Sequence, residues 1–308
     1  MPPLAFFKGK FVPLSEAKMS IMTHAFLYGT ACFEGIRGEW NERKQELYLF
    51  RVEDHYKRLF QSCKILNINL PFELEELCRL TVELVRRSGY KEGVYIRPLA
   101  YKSSEAIGVR LHNLEDDFLI FVIPFPPYLD LERGVRCMIS SWRRVEANMI
   151  PPQAKITGLY VNSALAKTEA FMKGFDEAIM LTKDGYVSEG SGENIFIVMN
   201  GKLITPPPYD DILVGITRDT IIKLAREELG LEVEERRISR AELYMADECF
   251  LTGTAAYVTP VVEIDHHKIG TGRRGEITHK LQKLYLEVIR GEREKYLSWC
   301  TPVYSERA

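Results

Sequence analysis

Apolar residues recur at helical spacing in two stretches of the first third of the chain. Tyr56, Leu59, Phe60, Cys63 and Leu66 do so within 53–68, and Leu74, Leu77, Leu80, Val82 and Leu84 within 73–87. That period gathers them on one face, so both stretches are predicted as helices, with Pro71 as the break between them. Shorter apolar runs predict strands at 5–8 and 10–13, hinged at Gly9, and at 46–51, 93–101 and 117–123. Beyond residue 135 strands and helices alternate: strands at 135–142, 177–182, 195–199 and 248–252, helices at 157–172, 216–229, 239–244 and 276–290. Asp184-Gly185 and Asn200-Gly201 are hairpin-turn signals on either side of the strand at 195–199.

Phe125-Pro126-Pro127-Tyr128 is the predicted crossover, because consecutive prolines continue neither a central strand nor a helix. The expected organisation is a smaller N-terminal domain over 1–124, an interdomain loop over 125–134 and a larger domain over 135–308. The fold class is α+β, or a two-domain α/β arrangement.

Composition narrows the function classes. A chain of 308 residues with 46% hydrophobic and 27% charged residues has the make-up of a soluble globular protein with ample core. Its formal net charge of −2 and lack of a basic block disfavour nucleic-acid or membrane-surface binding. Arg236-Arg237 and Arg273-Arg274 are isolated pairs that read as solvated faces. Cys32, Cys63, Cys78, Cys137, Cys249 and Cys300 lie far apart and form no C-x-x-C, which disfavours a metal site. No apolar run approaches the roughly 20 residues of a bilayer span, and no secretory leader pattern opens the chain. A reduced, cytoplasmic protein is expected.

The candidate chemistry starts at Lys155, which follows Pro151-Pro152 and precedes a helix. Downstream comes an acidic, glycine-flanked turn, Ser188-Glu189-Gly190-Ser191-Gly192-Glu193-Asn194. A lysine and a carboxylate so placed suit pyridoxal phosphate (PLP): the amine forms a Schiff base with the aldehyde, and the carboxylate keeps the pyridine nitrogen protonated. Leu213-Val214-Gly215-Ile216-Thr217 opens a helix, so its amides and the Thr217 hydroxyl meet the positive end of the dipole, where phosphate binds well. In Tyr95-Ile96-Arg97-Pro98 the period of two puts Tyr95 and Arg97 on one face of a strand.

Together with Tyr28-Gly29-Thr30-Ala31-Cys32-Phe33-Glu34-Gly35-Ile36-Arg37, Arg51-Val52-Glu53-Asp54-His55-Tyr56-Lys57-Arg58-Leu59 and Gly253-Thr254-Ala255-Ala256, these motifs occur in the order of one family. The chain resembles the branched-chain amino-acid aminotransferases of PLP fold type IV over about residues 6–287. The resemblance implies a cofactor held between the two domains and amino acids and 2-oxo acids as substrates. It also implies a homo-oligomer, at least a dimer.

Residue by residue, it makes Lys155 the PLP lysine and the general base of the proton shift, and Glu189 the partner of the pyridine nitrogen. It makes Arg58 a phosphate ligand, with Ile216, Thr217 and Thr254 completing the phosphate cup. Leu213 packs on the ring face, and Tyr160 lies beside the cofactor and the substrate. Phe33, Tyr128 and Tyr160 are apolar walls, with Phe125 and Tyr128 in the aromatic lid, here stiffened by Pro126-Pro127. Tyr95 and the amides of Thr254 and Ala255 face the substrate α-carboxylate, and Arg97 reaches the distal carboxylate of glutamate. Tyr28 and Val109 face the partner's pocket. Glu193 and Asn194 either orient their turn or touch the site, and His55 packs in its helix.

The implied reaction is transfer of the amino group of leucine, isoleucine or valine to 2-oxoglutarate. A D-amino-acid or (R)-amine transaminase of the same fold type is the nearest rival, and aminodeoxychorismate lyase another. The paired Phe-Glu-Gly-Ile-Arg and Tyr-Ile-Arg-Pro motifs favour the branched-chain reading over both. A catalytically silent PLP-binding scaffold would lack Lys155 or Glu189, and both are present. A Rossmann oxidoreductase is disfavoured because no G-x-G-x-x-G follows a strand.

Overall fold

The computed structural model describes residues 3–305. Two compact units divide the chain between Pro126 and Pro127, inside the expected crossover. The later boundaries depart from the expected single span 135–308. Ala154–Gly158 and residues 287–305 return to the first unit, leaving Pro127–Gln153 and Leu159–Leu286 as the second.

The first unit is built on an eight-stranded antiparallel sheet in the order Cys300–Pro302, Glu46–Phe50, Ile36–Asn41, Val94–Lys102, Asp116–Pro124, Leu4–Phe7, Lys10–Pro13. Ala31–Phe33 pairs beside Ile36–Asn41 on the same edge of Val94–Lys102. The hinge at Gly9 is a two-residue turn, with Lys8 and Gly9 both at positive φ (49° and 75°) and Phe7 opposite Lys10. Helices Val52–Ile65 and Leu74–Ser88 bury part of the apolar sets their spacing predicted, Tyr56, Leu59 and Cys63 on one and Leu77 and Leu84 on the other, where Val85 is buried in place of half-buried Leu74, Leu80 and Val82.

Pro98 stands in the middle of this sheet, where a missing N–H would normally break a ladder. Its carbonyl accepts the Glu34 N–H at 2.9 Å. Its ring nitrogen thus faces Glu34-Gly35, the gap between the two partner strands, and the ladder to Asp116–Pro124 is kept whole. The gap also leaves Glu34 and Gly35 outside regular pairing.

The two returns are fastened by specific bonds. Phe33 N–H donates to Lys155 O at 3.0 Å, Gly158 N–H to Gly29 O at 3.1 Å and Thr157 Oγ1 to the same oxygen at 2.8 Å. At the other return the Glu46 carboxylate accepts the N–H groups of Val303, Tyr304 and Ser305 at 2.7–2.9 Å. Neither tie had a local sequence signal.

In the second unit a nine-stranded mixed sheet runs Val187–Gly190, Glu177–Leu181, Val135–Ile139, Tyr257–Ile264, Glu248–Gly253, Asn194–Met199, Lys202–Thr205, Val233–Glu235, with His267–Lys268 beside Tyr257–Ile264. Asn200 and Gly201, at φ 52° and 74°, form the tight turn that sets Met199 opposite Lys202. The long strand Tyr257–Ile264 was not expected, because Pro260 disguises it; in the structure Pro260 lies opposite Phe250 within the ladder. One sheet face buries Ile179, Ile195, Ile197, Leu251 and Val261. Helix Tyr160–Met172 supplies Ala166 and Ala170 to a second cluster with Met138, Ala178 and Met180. Helix Ile216–Leu229 has the bounds its periodicity predicted. Among the described residues no helix is long and apolar enough to cross a membrane.

Candidate active site

In the first unit, the gap in the sheet gathers a set of charged and aromatic side chains. Half-buried Lys155 is held by its backbone, its N–H donating to Ser62 Oγ at 3.0 Å. Its amine lies 5.1 Å from the centre of the Phe33 ring, and the Arg97 guanidinium lies 4.5 Å from the same ring. Arg97 Nη2 donates to the Tyr95 hydroxyl at 2.8 Å, so the shared face predicted for these two residues becomes a direct contact. Arg97 Nε is buried with no protein partner among the described residues. Gly35 is required here, since a Cβ would overlap the Tyr95 hydroxyl. Phe125 packs its ring 5.5 Å from that of Tyr95.

Arg58 grips Glu34 with two parallel bonds, Nε to Oε1 at 2.7 Å and Nη2 to Oε2 at 2.8 Å. The fork that was assigned to phosphate thus also fixes a buried carboxylate. His55, expected only to pack, donates from Nδ1 to Glu34 Oε2 at 2.7 Å. Burial alone would raise the Glu34 carboxyl, but the Arg58 charge and the bonds from Arg58 and His55 hold it well below the ordinary carboxylate range. Glu34 carried no assignment in the sequence. Nor did buried Arg37, which lies opposite Tyr95 in register and donates to Phe125 O at 2.6 Å.

Tyr28 and Val109 belong to a different surface of this unit. The Tyr28 hydroxyl accepts the Gly108 N–H at 3.0 Å, and His24 Nε2 lies 2.8 Å from Gly108 O. Around them Phe26, Ile107 and Val109 are 69%, 79% and 84% exposed, an apolar set that one chain leaves uncovered.

In the second unit the centre is Glu189, 4% exposed. Arg144 Nη2 meets its Oε1 at 2.8 Å, while Asn194 Nδ2 and Leu213 N–H donate to Oε2 at 2.9 and 3.1 Å. Asn194 Nδ2 also donates to Leu213 O at 2.8 Å, which ties the acidic turn to the segment before helix Ile216–Leu229. Asn194 is therefore an orienting residue of this turn. Gly215 is the N-cap of that helix and supplies no capping side chain; a Cβ there would collide with Asn194 Oδ1. Ile216 and Thr217 are buried in its first turn. Tyr160 opens helix Tyr160–Met172, half-buried, and Thr254 and Ala255 form the half-buried turn between Glu248–Gly253 and Tyr257–Ile264.

Arg144 was missed by the sequence reading, since Arg143-Arg144 looks like a surface pair; only its burial at 5% and its contact with Glu189 reveal it. Its Nε has no protein partner among the described residues. Tyr128 donates its hydroxyl to Glu193 Oε1 and lines a cavity of this unit with Lys167, Arg133 and Asp176.

Each set can be stated chemically. The first offers an amine, two guanidinium groups and a tyrosine hydroxyl around aromatic rings, suited to small carboxylates. The second offers a rigid acceptor-only carboxylate beside a glycine-capped helix N-terminus with a hydroxyl, suited to a cationic ring nitrogen and a phosphate.

Comparison with known proteins agrees with this chemistry. The family described as amino-transferase class IV matches residues 31–264. The probable branched-chain-amino-acid aminotransferase of Aquifex aeolicus is 53% identical over 302 residues, covering 98% of this chain and 97% of that protein. The branched-chain aminotransferase of Thermoproteus uzoniensis, solved with norvaline, superposes with a TM-score of 0.93 at 47% identity, covering 98% and 99% of the two chains. The branched-chain amino acid aminotransferase of Thermobaculum terrenum, solved in its PLP form, gives 0.94 at 41% identity, covering 99% of each chain.

Proposed function

The chain belongs to the class IV aminotransferases, and we propose that it moves the amino group of leucine, isoleucine or valine to 2-oxoglutarate with pyridoxal phosphate as coenzyme. One observation carries the substrate reading: the Phe33 ring has the Lys155 amine on it at 5.1 Å and the Arg97 guanidinium at 4.5 Å. An aromatic wall accepts a branched alkyl group, and the guanidinium beside it accepts the second carboxylate of glutamate.

The side chains fit the coenzyme. Lys155 would hold it covalently, and Glu189, which Arg144, Asn194 and Leu213 align, would partner its ring nitrogen. Phosphate falls to Arg58, the Ile216 amide and the hydroxyls of Thr217 and Thr254, with Leu213 and Tyr160 against the ring. The Gly215 N-cap suits that role, because glycine brings no capping side chain of its own. When bound, pyridoxal phosphate supplies an aldehyde that captures the amine and a ring that accepts electrons from the α-carbon.

The remaining work belongs to the protein. Tyr95, with the amides of Thr254 and Ala255, orients the substrate α-carboxylate. Lys155 Nζ, once displaced by the substrate amine, would take the proton from the substrate α-carbon and carry it through the proton shift. Phe33, Phe125, Tyr128 and Tyr160 exclude water. Tyr28 and Val109, in the uncovered apolar set, serve the pocket of a second copy, so the active species is at least a dimer.

The decisive experiment is a panel of L-amino acids, D-amino acids and (R)-amines against 2-oxoglutarate, following the glutamate formed. Turnover confined to L-leucine, L-isoleucine, L-valine and close relatives is expected. Preferred use of D-amino acids or (R)-amines would replace this reading with that of the rival transaminases.

A further inference from the structure

Beside the turn that carries Glu189 lies a buried acid pair that the proposed reaction does not use. Glu177, fully buried at the start of strand Glu177–Leu181, accepts Ser191 Oγ at 2.6 Å and its neighbour's Ala178 N–H at 2.8 Å on Oε1. Its Oε2 meets Lys167 Nζ at 2.5 Å. Glu193, 4% exposed, accepts the Gly192 N–H on Oε2 at 3.0 Å and the Tyr128 hydroxyl on Oε1. Its own carbonyl accepts the Gly190 N–H at 2.7 Å, closing the turn that begins with Glu189. Gly190 has to be glycine, since a Cβ would press on Glu193 Oε2. Glu193 is thus bonded at once to the turn and to the second residue of the segment that starts this unit.

We propose that Glu193 is a positioning residue: its carboxyl, seated beside Glu177, holds the Tyr128 hydroxyl and so locks the crossover segment and its aromatic ring to the turn that presents Glu189. The proposal rests on the assignment of Tyr128 to the substrate pocket. Without this bond the Tyr128 ring loses its tie to the turn, while Leu129 stays in the core and Leu131 O keeps the Gln282 Nε2 bond at 2.9 Å, so substrate must supply more of the ring's ordering. That ordering is charged to binding, not to proton transfer.

The surroundings of Glu193 make the lock titrate. Burial, and next the Glu177 charge, push its carboxyl up to about 8, while the Tyr128 and Gly192 bonds and the Lys167 charge pull the other way. Four titratable groups face Glu193: Tyr128 from the crossover, Lys167 from helix Tyr160–Met172, Glu177 from its strand and Cys137 from strand Val135–Ile139. The Cys137 thiol is itself raised well above its ordinary value, by burial first, then by Cys249 and then by both glutamates, so it stays neutral. Lys167 also lies 5.8 Å from the Tyr128 ring centre.

The test uses the holoenzyme labelled with [13Cζ]tyrosine, the Tyr128 signal being assigned by its absence in Tyr128→Phe. That signal is expected to titrate with a midpoint near pH 8 and to stop doing so in Glu193→Gln, which keeps an oxygen acceptor but no proton equilibrium. Lys167→Met should move the midpoint up and Glu177→Gln should move it down, as their charges require. Glu193→Leu, which removes the acceptor, should raise KM for the amino donor by roughly 3–10-fold, with kcat within about twofold and coenzyme retained. Glu193→Gln should restore KM, and Glu193→Leu combined with Tyr128→Phe should raise it no further than either change alone. A Tyr128 signal that titrates unchanged in Glu193→Gln, or that does not move at all between wild type and Glu193→Leu, overturns the contact whatever the enzyme's substrate. A titrating signal with unchanged KM in Glu193→Leu, or additive KM losses in the double variant, overturns the positioning role.

Discussion

Gly29 and Gly158 touch backbone to backbone: the Gly158 N–H donates to Gly29 O at 3.1 Å, and a Cβ on Gly29 would stand 2.7 Å from Gly158 Cα. This approach lets Ala154–Gly158, with Lys155 inside it, join the first unit. Gly29 also sits at φ 66°. Gly29→Ala is expected to cost about 1–2 kcal/mol for the left-handed conformation, plus the displacement of this segment. Gly9→Ala meets the same strain at φ 75° with open space around it, so it serves as the control. Coenzyme content and kcat should fall in Gly29→Ala and hold in Gly9→Ala. Full activity in a folded Gly29→Ala variant would mean that the glycine contact does not position Lys155.

Lys155 is the residue on which the coenzyme assignment depends. The purified holoenzyme should be yellow, and adding an amino donor should bleach its visible band. After borohydride treatment, peptide mapping should find the pyridoxyl label on Lys155. A label on Lys167 or Lys173 instead would overturn the assignment.

Glu189→Gln should leave the coenzyme bound, because the amide still reaches Arg144 through its oxygen. It should lose on the order of 10²-fold in single-turnover rate, about 2.7 kcal/mol, since a neutral amide does not stabilise a protonated ring nitrogen. An unchanged rate with an intact visible spectrum would remove Glu189 from that role.

Arg97→Leu should separate the two substrates. A charge-assisted hydrogen bond contributes about 1.5–3 kcal/mol, so the glutamate half-reaction should lose about 10–150-fold in kcat/KM. Leucine makes no such bond, and its half-reaction should change little. Because Arg97 also bonds the Tyr95 hydroxyl, equal losses for both donors would show that it acts on the α-carboxylate site or on the fold.

The two buried acids titrate with opposite signs. Glu34 is held below the ordinary range by Arg58 and His55, against its burial, so its stabilisation is present above about pH 4.3 and is lost as pH falls beneath that value. Glu193 is raised to about 8 by burial and Glu177. Its contribution is present below the unfolded value and is lost as pH rises through the folded one. Urea midpoints should therefore flatten below about pH 4.3 in Glu34→Gln and between about pH 4.3 and 8 in Glu193→Gln. Glu34→Gln should also lose about 3–5 kcal/mol near neutrality, because Arg58 is left without its buried carboxylate. Parallel profiles for wild type and both variants would contradict both assignments.

The sequence by itself determined whatever is written in short-range order. Helical spacing set the bounds 216–229 of one helix, alternation put Tyr95 and Arg97 on a common face, Asn200-Gly201 set a hairpin, and Pro126-Pro127 marked the crossover. Lys155 and Glu189 stood out because their proline-rich and glycine-rich neighbours are themselves local signals. What only the tertiary structure decided involves groups far apart in the chain. Glu34 meets Arg58 and His55 across 24 and 21 residues. Glu189 meets Arg144, and Tyr128 reaches Glu193 across 65 residues. The same holds for the return of Lys155 to the first unit through Gly29, and for Pro98 and Pro260 within sheets. The physical reason is that burial and charge pairing are set by the sum of the neighbours, and folding alone makes a solvated-looking glutamate or arginine into a fixed, desolvated partner.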